Sequence, residues 1–208
     1  MTEAGVTGVA GRPLSSRGVK TRRRLLEAAE DVFAQLGYHE ASIVKITEAA
    51  GVGQGTFYLY FSSKKEIFDE LVLDLNHRVR HAMTEGASKG ATRAEREQLG
   101  FEAFFRFTAE HPALYRIVRQ AEFVSPEMLH RHYERLTDGY VAGLAEAMER
   151  GEIASGNPEV LAWALMGIGE LVGMRWILWA ESKELPPEVS AELAAIVRRA
   201  IGAVEDGR

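Results

Sequence analysis

Apolar positions along this chain recur at three- and four-residue spacing from about residue 25 to residue 201, and no stretch alternates with the period of two of a half-buried strand. The first run, over residues 18–36, turns Leu25, Ala29, Val32, Phe33 and Leu36 to one side and stops at Gly37. Residues 42–64 read as two short helices joined by a tight turn. Ile43, Ile46, Ala49 and Ala50 give the first an apolar face, and Gly51 accepts the positive φ of the turn. The second, over residues 54–60, buries Phe57 and presents Gln54, Thr56, Tyr58 and Tyr60. Phe61 folds back toward the core. This is the pattern of a helix-turn-helix, whose second helix enters the major groove of DNA.

The pattern stays helical to the end. Ser63 and Glu66 predict a capping box for a long helix whose seam is Ile67, Leu71, Leu75, Val79 and Met83. Such a helix spans roughly 30 Å and can link the head to the body. Thr92 and Glu95 form a second capping box, opening a helix that ends at His111-Pro112. A short helix through Leu114, Tyr115, Ile117 and Val118 follows. Ser125-Pro126 and Asn157-Pro158 are start signals for two more helices, reaching Gly151 and about residue 180. A last helix over residues 187–204 holds Val189, Leu193, Ile196, Val197, Ala200 and Ile201 inward. The expected fold is all-α.

With 208 residues the chain can bury one sizeable core or two small ones. It has no cysteine, which excludes disulfides and thiolate metal sites. The net charge of −5 is unevenly spread: residues 10–65 carry nine bases against five acids, +4, leaving −9 for the rest. A basic head on an acidic body suits a protein whose head alone meets phosphate. Residues 1–17, rich in Gly, Ser, Thr and Ala, predict a disordered basic arm. Arg12, Arg17, Lys20 and Arg22 either reach the minor groove and backbone or belong to a solvated tail. The start of the chain lacks the apolar run of a secretory signal, so the expected location is cytoplasmic.

The runs TRRRLLEAAEDVFAQLGY and IVKITEAAGVGQGTFYLYFSSKKEIF, with Leu-Gly-Tyr closing the first helix and Ala-Ala-Gly-Val at the turn, resemble the DNA-binding domain of the TetR (tetracycline-repressor-type) family. The likeness covers residues 21–71, about a quarter of the chain. It implies a helix-turn-helix DNA-binding domain over residues 18–63 and a helical ligand-binding and dimerisation domain over residues 64–208.

By that resemblance Gln54, Gly55, Thr56, Tyr58, Tyr60 and Lys64 sit at DNA-contacting positions. Gln54 is the base reader, since an amide pairs two ways with adenine. Thr56, Tyr60 and Lys64 suit phosphate, and Tyr58 suits either. Gly53 and Gly55 keep the helix start free of bulk, so that backbone N–H groups can approach a phosphate. Val44 departs from relatives that carry a long polar residue there, and Lys45 beside it takes a backbone contact.

The resemblance also implies a small-molecule effector in the body. Phe104, Phe105, Tyr115, Phe123, Tyr140, Trp163 and Trp176 are the candidate lining, although aromatics at helical spacing also serve as core. Arg106, Arg119, Glu122, Glu170 and Arg175 are the charges nearest those faces. The last two long helices imply a homodimer through Trp163, Gly169, Gly173, Leu193, Val197 and Ile201. Glu170, Arg175 and the glycines argue against a membrane span over residues 160–180. His77 and His81 stand one turn apart without a third ligand, so no metal or other cofactor is expected.

The expected function is a sequence-specific transcriptional repressor that leaves its double-stranded operator when an apolar small molecule binds. The rivals are a helical enzyme, for which no catalytic set stands out, and a module that binds DNA without sequence choice.

Overall fold

The computed structural model describes Val9 and residues 13–203, which form nine α-helices and one π-helical segment, with no strand among them. They fall into two compact units that do not follow linear order: residues 113–130 join the N-terminal 75 residues, and residues 76–112 and 131–208 make up the other.

The first unit begins with α1 (Ser16–Glu40), capped by Ser15, whose Oγ accepts from the Gly18 N–H at 3.2 Å. Helical geometry breaks inside α1 at Gly37, φ +75, where a side chain would be strained. α2 (Ile43–Ala49) starts at Ser42, whose Oγ accepts from Lys45 N–H at 3.2 Å, and ends in the Gly51 turn at φ +63. α3 (Gln54–Phe57) is one turn long, shorter than the helix expected over residues 54–60. Its remaining N–H groups bond in turns: Leu59 N–H donates to Thr56 O and Tyr60 N–H to Phe57 O.

α6 (Ala113–Val124) packs on α1 and buries Leu114, Tyr115, Ile117, Val118 and Ala121. Leu25, Phe33, Ile46, Phe57, Phe61 and Phe68 are the inaccessible centre of this unit. Phe68 stands edge-on to Phe33 at 5.3 Å and to Tyr38 at 5.1 Å, a favourable arrangement for ring quadrupoles. Leu36, expected inward, is exposed.

α4 (Lys64–Ala87) and α7 (Pro126–Glu149) run unbroken from one unit into the other. Ser63 caps α4 as expected, accepting from Glu66 N–H at 3.1 Å, but the Glu66 carboxylate turns back to the N–H of Ser62, at 2.5 Å, instead of Ser63.

In the second unit α5 (Arg93–Glu110) opens with the complete Thr92/Glu95 capping box. α8 (Pro158–Gly173) opens on Asn157, whose side chain accepts from the N–H groups of Glu159 and Val160. The π-helical segment Met174–Leu178 continues it, and α9 (Pro187–Ile201) ends on Gly202, φ +56. The last helix thus stops short of the expected residue 204, which lies outside the described residues. α5 packs against α8, α9 and the π-helical segment around Phe105, Leu144, Leu165, Ile177, Leu193 and Val197.

Candidate nucleic-acid interface

The helix-turn-helix presents its outer face on a buried aromatic frame. Phe57 and Phe61 are inaccessible, their ring centroids 5.6 Å apart, and they fix the inner side of α3 and the turn after it. Between them Tyr58 points outward with 52% of its surface exposed, its ring edge-on to Phe57 at 5.4 Å. Val44, Lys45, Gln54, Gly55 and Leu59 are exposed on the same motif, whereas Thr56 and Tyr60 are half-buried. A Cβ added at Gly53 or Gly55 would meet nothing within 4 Å, so both border open space.

Several cations counted toward the basic head are committed to holding it together. Lys64 is the clearest case. Its Nζ donates to Tyr38 O and Ala41 O, both at 2.7 Å, and lies 4.3 Å from the Tyr38 ring centroid. Loss of hydration lowers its pKa, against a smaller raising effect of Glu40. Two of the three ammonium donors are thereby engaged, so Lys64 ties the end of α1 to the start of α4 and has at most one donor left for the expected phosphate contact. Arg22, expected in the arm, pairs with Glu70 and lies 5.0 Å from the Phe61 ring. Burial raises the Glu70 pKa, and the Arg22 charge opposes that rise. Arg24 donates to the carbonyl of Ala50 and anchors the turn. Lys45 remains exposed, with its Nζ 3.0 Å from Glu40 O. Arg17 and Lys20 are exposed on α1 and make no ion pair among the described residues, while Arg12 lies outside them.

The second unit revises both residue sets expected there. Leu193, Val197 and Ile201 are buried in the chain's own core, and Gly169 and Gly173 are buried as well, so none of the five is left for a partner. A Cβ on Gly169 would stand 2.7 Å from Phe101 Cε1, so the close approach it permits is to a helix of its own chain. The face of α8 that remains open carries Val160, Trp163, Ala164, Gly167 and Leu171, with Trp163 45% and Leu171 62% exposed. Of the expected dimer residues, Trp163 is the one on that face.

The expected effector lining is dispersed. Phe123 is 81% exposed, and Tyr115 is core of the first unit. Phe104, Tyr140 and Trp176 are half-buried in the second. A cavity of about 440 Å³ lies between α5 and α9, and Phe105 alone of the seven borders it.

Sequence reasoning passed over Glu97, which is buried, paired with Arg93 at 2.5 Å and bonded by the Tyr140 hydroxyl. Burial first, and then the Glu97 charge, holds the Tyr140 pKa well above its usual value. An Arg and a Glu four apart read as a solvated pair, so only the tyrosine 43 residues further on marks them as interior.

His77 and His81 have ring centroids 6.5 Å apart, and no group of three metal-binding side chains occurs among the described residues. The run Pro158–Leu178 is long and apolar enough to cross a membrane, with mean hydropathy 1.4, but it carries Glu170, to which the Tyr133 hydroxyl donates at 3.0 Å.

Comparison with known proteins agrees with this architecture. The family profile described as bacterial regulatory proteins, tetR family, matches residues 25–71. The chain is 37% identical over 118 residues to the uncharacterized HTH-type transcriptional regulator YdgC of Bacillus subtilis (strain 168), a match covering 55% of this chain and 59% of that protein. It is 31% identical over 138 residues to the fatty acid metabolism regulator protein of the same strain, covering 64% of this chain and 71% of the relative. Among solved structures, Salmonella enterica GusR superposes with a TM-score of 0.77 at 22% identity, over 90% of this chain and 98% of that one. The Bacillus subtilis regulator FadR, solved with stearoyl-CoA, gives 0.72 at 23% identity, over 88% and 99%.

Proposed function

This chain belongs to the TetR family of bacterial transcriptional regulators rather than to an enzyme family, and we propose that it is a cytoplasmic homodimeric repressor whose operator is released by an acyl-type small molecule. The exposed face of α2 and α3, set on the buried pair Phe57 and Phe61, carries the DNA-binding part of this reading. On it Gln54 and Tyr58 read base edges, and Gly55 leaves room for close approach. Lys45, Thr56 and Tyr60 contact the sugar-phosphate backbone, with Arg17 and Lys20 adding charge from α1.

Two copies joined through the open apolar face of α8 would place two such faces on one operator, in successive major grooves. Isolated exposed leucines need no explanation, but Val160, Trp163, Ala164, Gly167 and Leu171 form one helical stripe, which asks for a cover.

The acyl class of effector rests on the relative named as a fatty acid metabolism regulator and on the neighbour solved with stearoyl-CoA. Such a ligand displaces the operator only if it binds the DNA-free conformation more tightly. Fluorescence anisotropy of the protein on its operator, titrated with stearoyl-CoA and with free CoA, tests this. Release by the acyl thioester alone supports the reading. Undiminished binding at saturating acyl-CoA removes the acyl effector from it.

A further inference from the structure

The cavity between α5 and α9 is unused by DNA recognition and lies wholly within the second unit. Its floor is apolar: Phe101, Phe105, Leu185, Leu193 and Val197. The rings of Phe101 and Phe105 stack at 6.0 Å with an interplanar angle of 26°. Gly169 lets α8 press against the Phe101 ring from behind, so this part of the floor has little room to collapse.

The rim differs from the floor. Arg106 from α5, Lys183 from the α8–α9 connection and Arg198 from α9 border the same opening. Glu102 and Glu184 stand on it too, yet none of the three cations forms an ion pair among the described residues. Other exposed arginines of this unit do pair: Arg150 with Glu152 at 2.6 Å and Arg199 with Glu192 at 3.2 Å. Arg198 also feels the charge of Glu95, whose pKa it helps to lower, but no carboxylate among the described residues closes on any of the three cations, so their N–H donors remain available at the mouth of an apolar slot.

The exposed apolar residues of α9 lie off this opening. Ala194 and Arg198 line the cavity, whereas Ile196 and Ala200 are exposed. Residues two apart on a helix point to nearly opposite sides. A dimer joined through α8 and the Ile196 side of α9 leaves the cavity open.

We infer that this cavity binds a single-chain amphiphile with an anionic head, its chain on the Phe101–Phe105 floor and its carboxylate or phosphate on Arg106 and Arg198. The planar guanidinium fork suits either head by paired N–H donation. The volume falls within the range of small-molecule sites. This site does not depend on the operator or on which compound releases it.

Calorimetric titration of the full-length protein with dodecanoate, dodecyl phosphate and dodecanol, each below its micelle concentration, tests the inference. One anion should bind per chain, and dodecanol should bind about tenfold more weakly for want of the charge-assisted contacts. The double variant Arg106→Gln/Arg198→Gln, altered only at exposed positions, should lose about tenfold in affinity for the anions and none for dodecanol. Ala194→Phe, which fills the slot, should abolish binding of all three while leaving operator affinity unchanged. Which anion binds more tightly separates a carboxylate from a phosphate source. Absence of anion binding, equal affinity for dodecanol, or unchanged affinity in both variants would overturn the assignment.

Discussion

Lys64 Nζ stands 4.3 Å from the centroid of the Tyr38 ring and 2.7 Å from the carbonyl oxygen of the same residue. Through this contact, and the one to Ala41 O, the first residue of α4 holds the end of α1 and the entry to α2. Lys64→Ala should therefore destabilise the protein by about 1–3 kcal/mol, the range for charge-assisted bonds at a partly exposed site. Urea unfolding checks it. Reduced DNA affinity with an unchanged unfolding midpoint would return Lys64 to the phosphate.

Gln54 and Lys45 should separate the two components of DNA affinity. Gln54→Ala should cost about 1–3 kcal/mol on the operator and little on random DNA. Lys45→Ala should weaken both alike and reduce the salt slope by about one. Salt-dependent titrations on both DNAs decide between them. Equal losses for Gln54→Ala would end its assignment as a base reader.

His132 lies buried in α7, where Asn76 Nδ2 donates to its carbonyl oxygen at 2.8 Å and stands 3.2 Å from its Nδ1. Burial lowers its pKa to about 4. A histidine depressed in this way stays neutral in the folded protein while the unfolded chain takes up a proton. Stability is therefore unaffected above the unfolded pKa near 6.5 and falls between there and about pH 4. The loss at pH 5 is about 2 kcal/mol, and His132→Gln should show less acid sensitivity by that amount. Urea midpoints of both proteins at pH 7 and 5 measure it, and parallel acid sensitivity would contradict it.

Leu171 and Leu193 test which face of the last helices meets a partner. Leu171→Glu, on the open face of α8, should give folded monomers by light scattering. Leu193→Ala, inside the core, should cost about 2–5 kcal/mol and leave the folded fraction dimeric. The reverse outcome would restore Leu193 to the interface.

The helices were legible because their punctuation is local. Thr92 with Glu95, Asn157 before Pro158, and the glycines 37 and 51 mark boundaries through backbone groups a few residues away. The outward Tyr58 beside the inward Phe57 was readable from helical spacing. What stayed hidden depends on contacts distant in sequence. Arg22 meets Glu70 48 positions away, and Lys64 meets Tyr38 26 positions away, so charges that looked free are structural. Periodicity likewise put Leu193, Ile196, Val197, Ala200 and Ile201 inward on α9, of which Ile196 and Ala200 are exposed and the other three buried. It gave no information on whether their own chain or another covers the buried ones, and their own chain does, in a core shared with Phe105, Leu144, Ile153 and Leu165.

The most direct measurement is a gel-shift titration of the full-length protein on fragments flanking its own gene, with excess random DNA as competitor. A discrete complex on one fragment that survives the competitor, and is lost in Gln54→Ala, is the predicted result. Binding that random DNA abolishes on every fragment, with no difference between Gln54→Ala and the parent protein, would contradict sequence-specific recognition by this face.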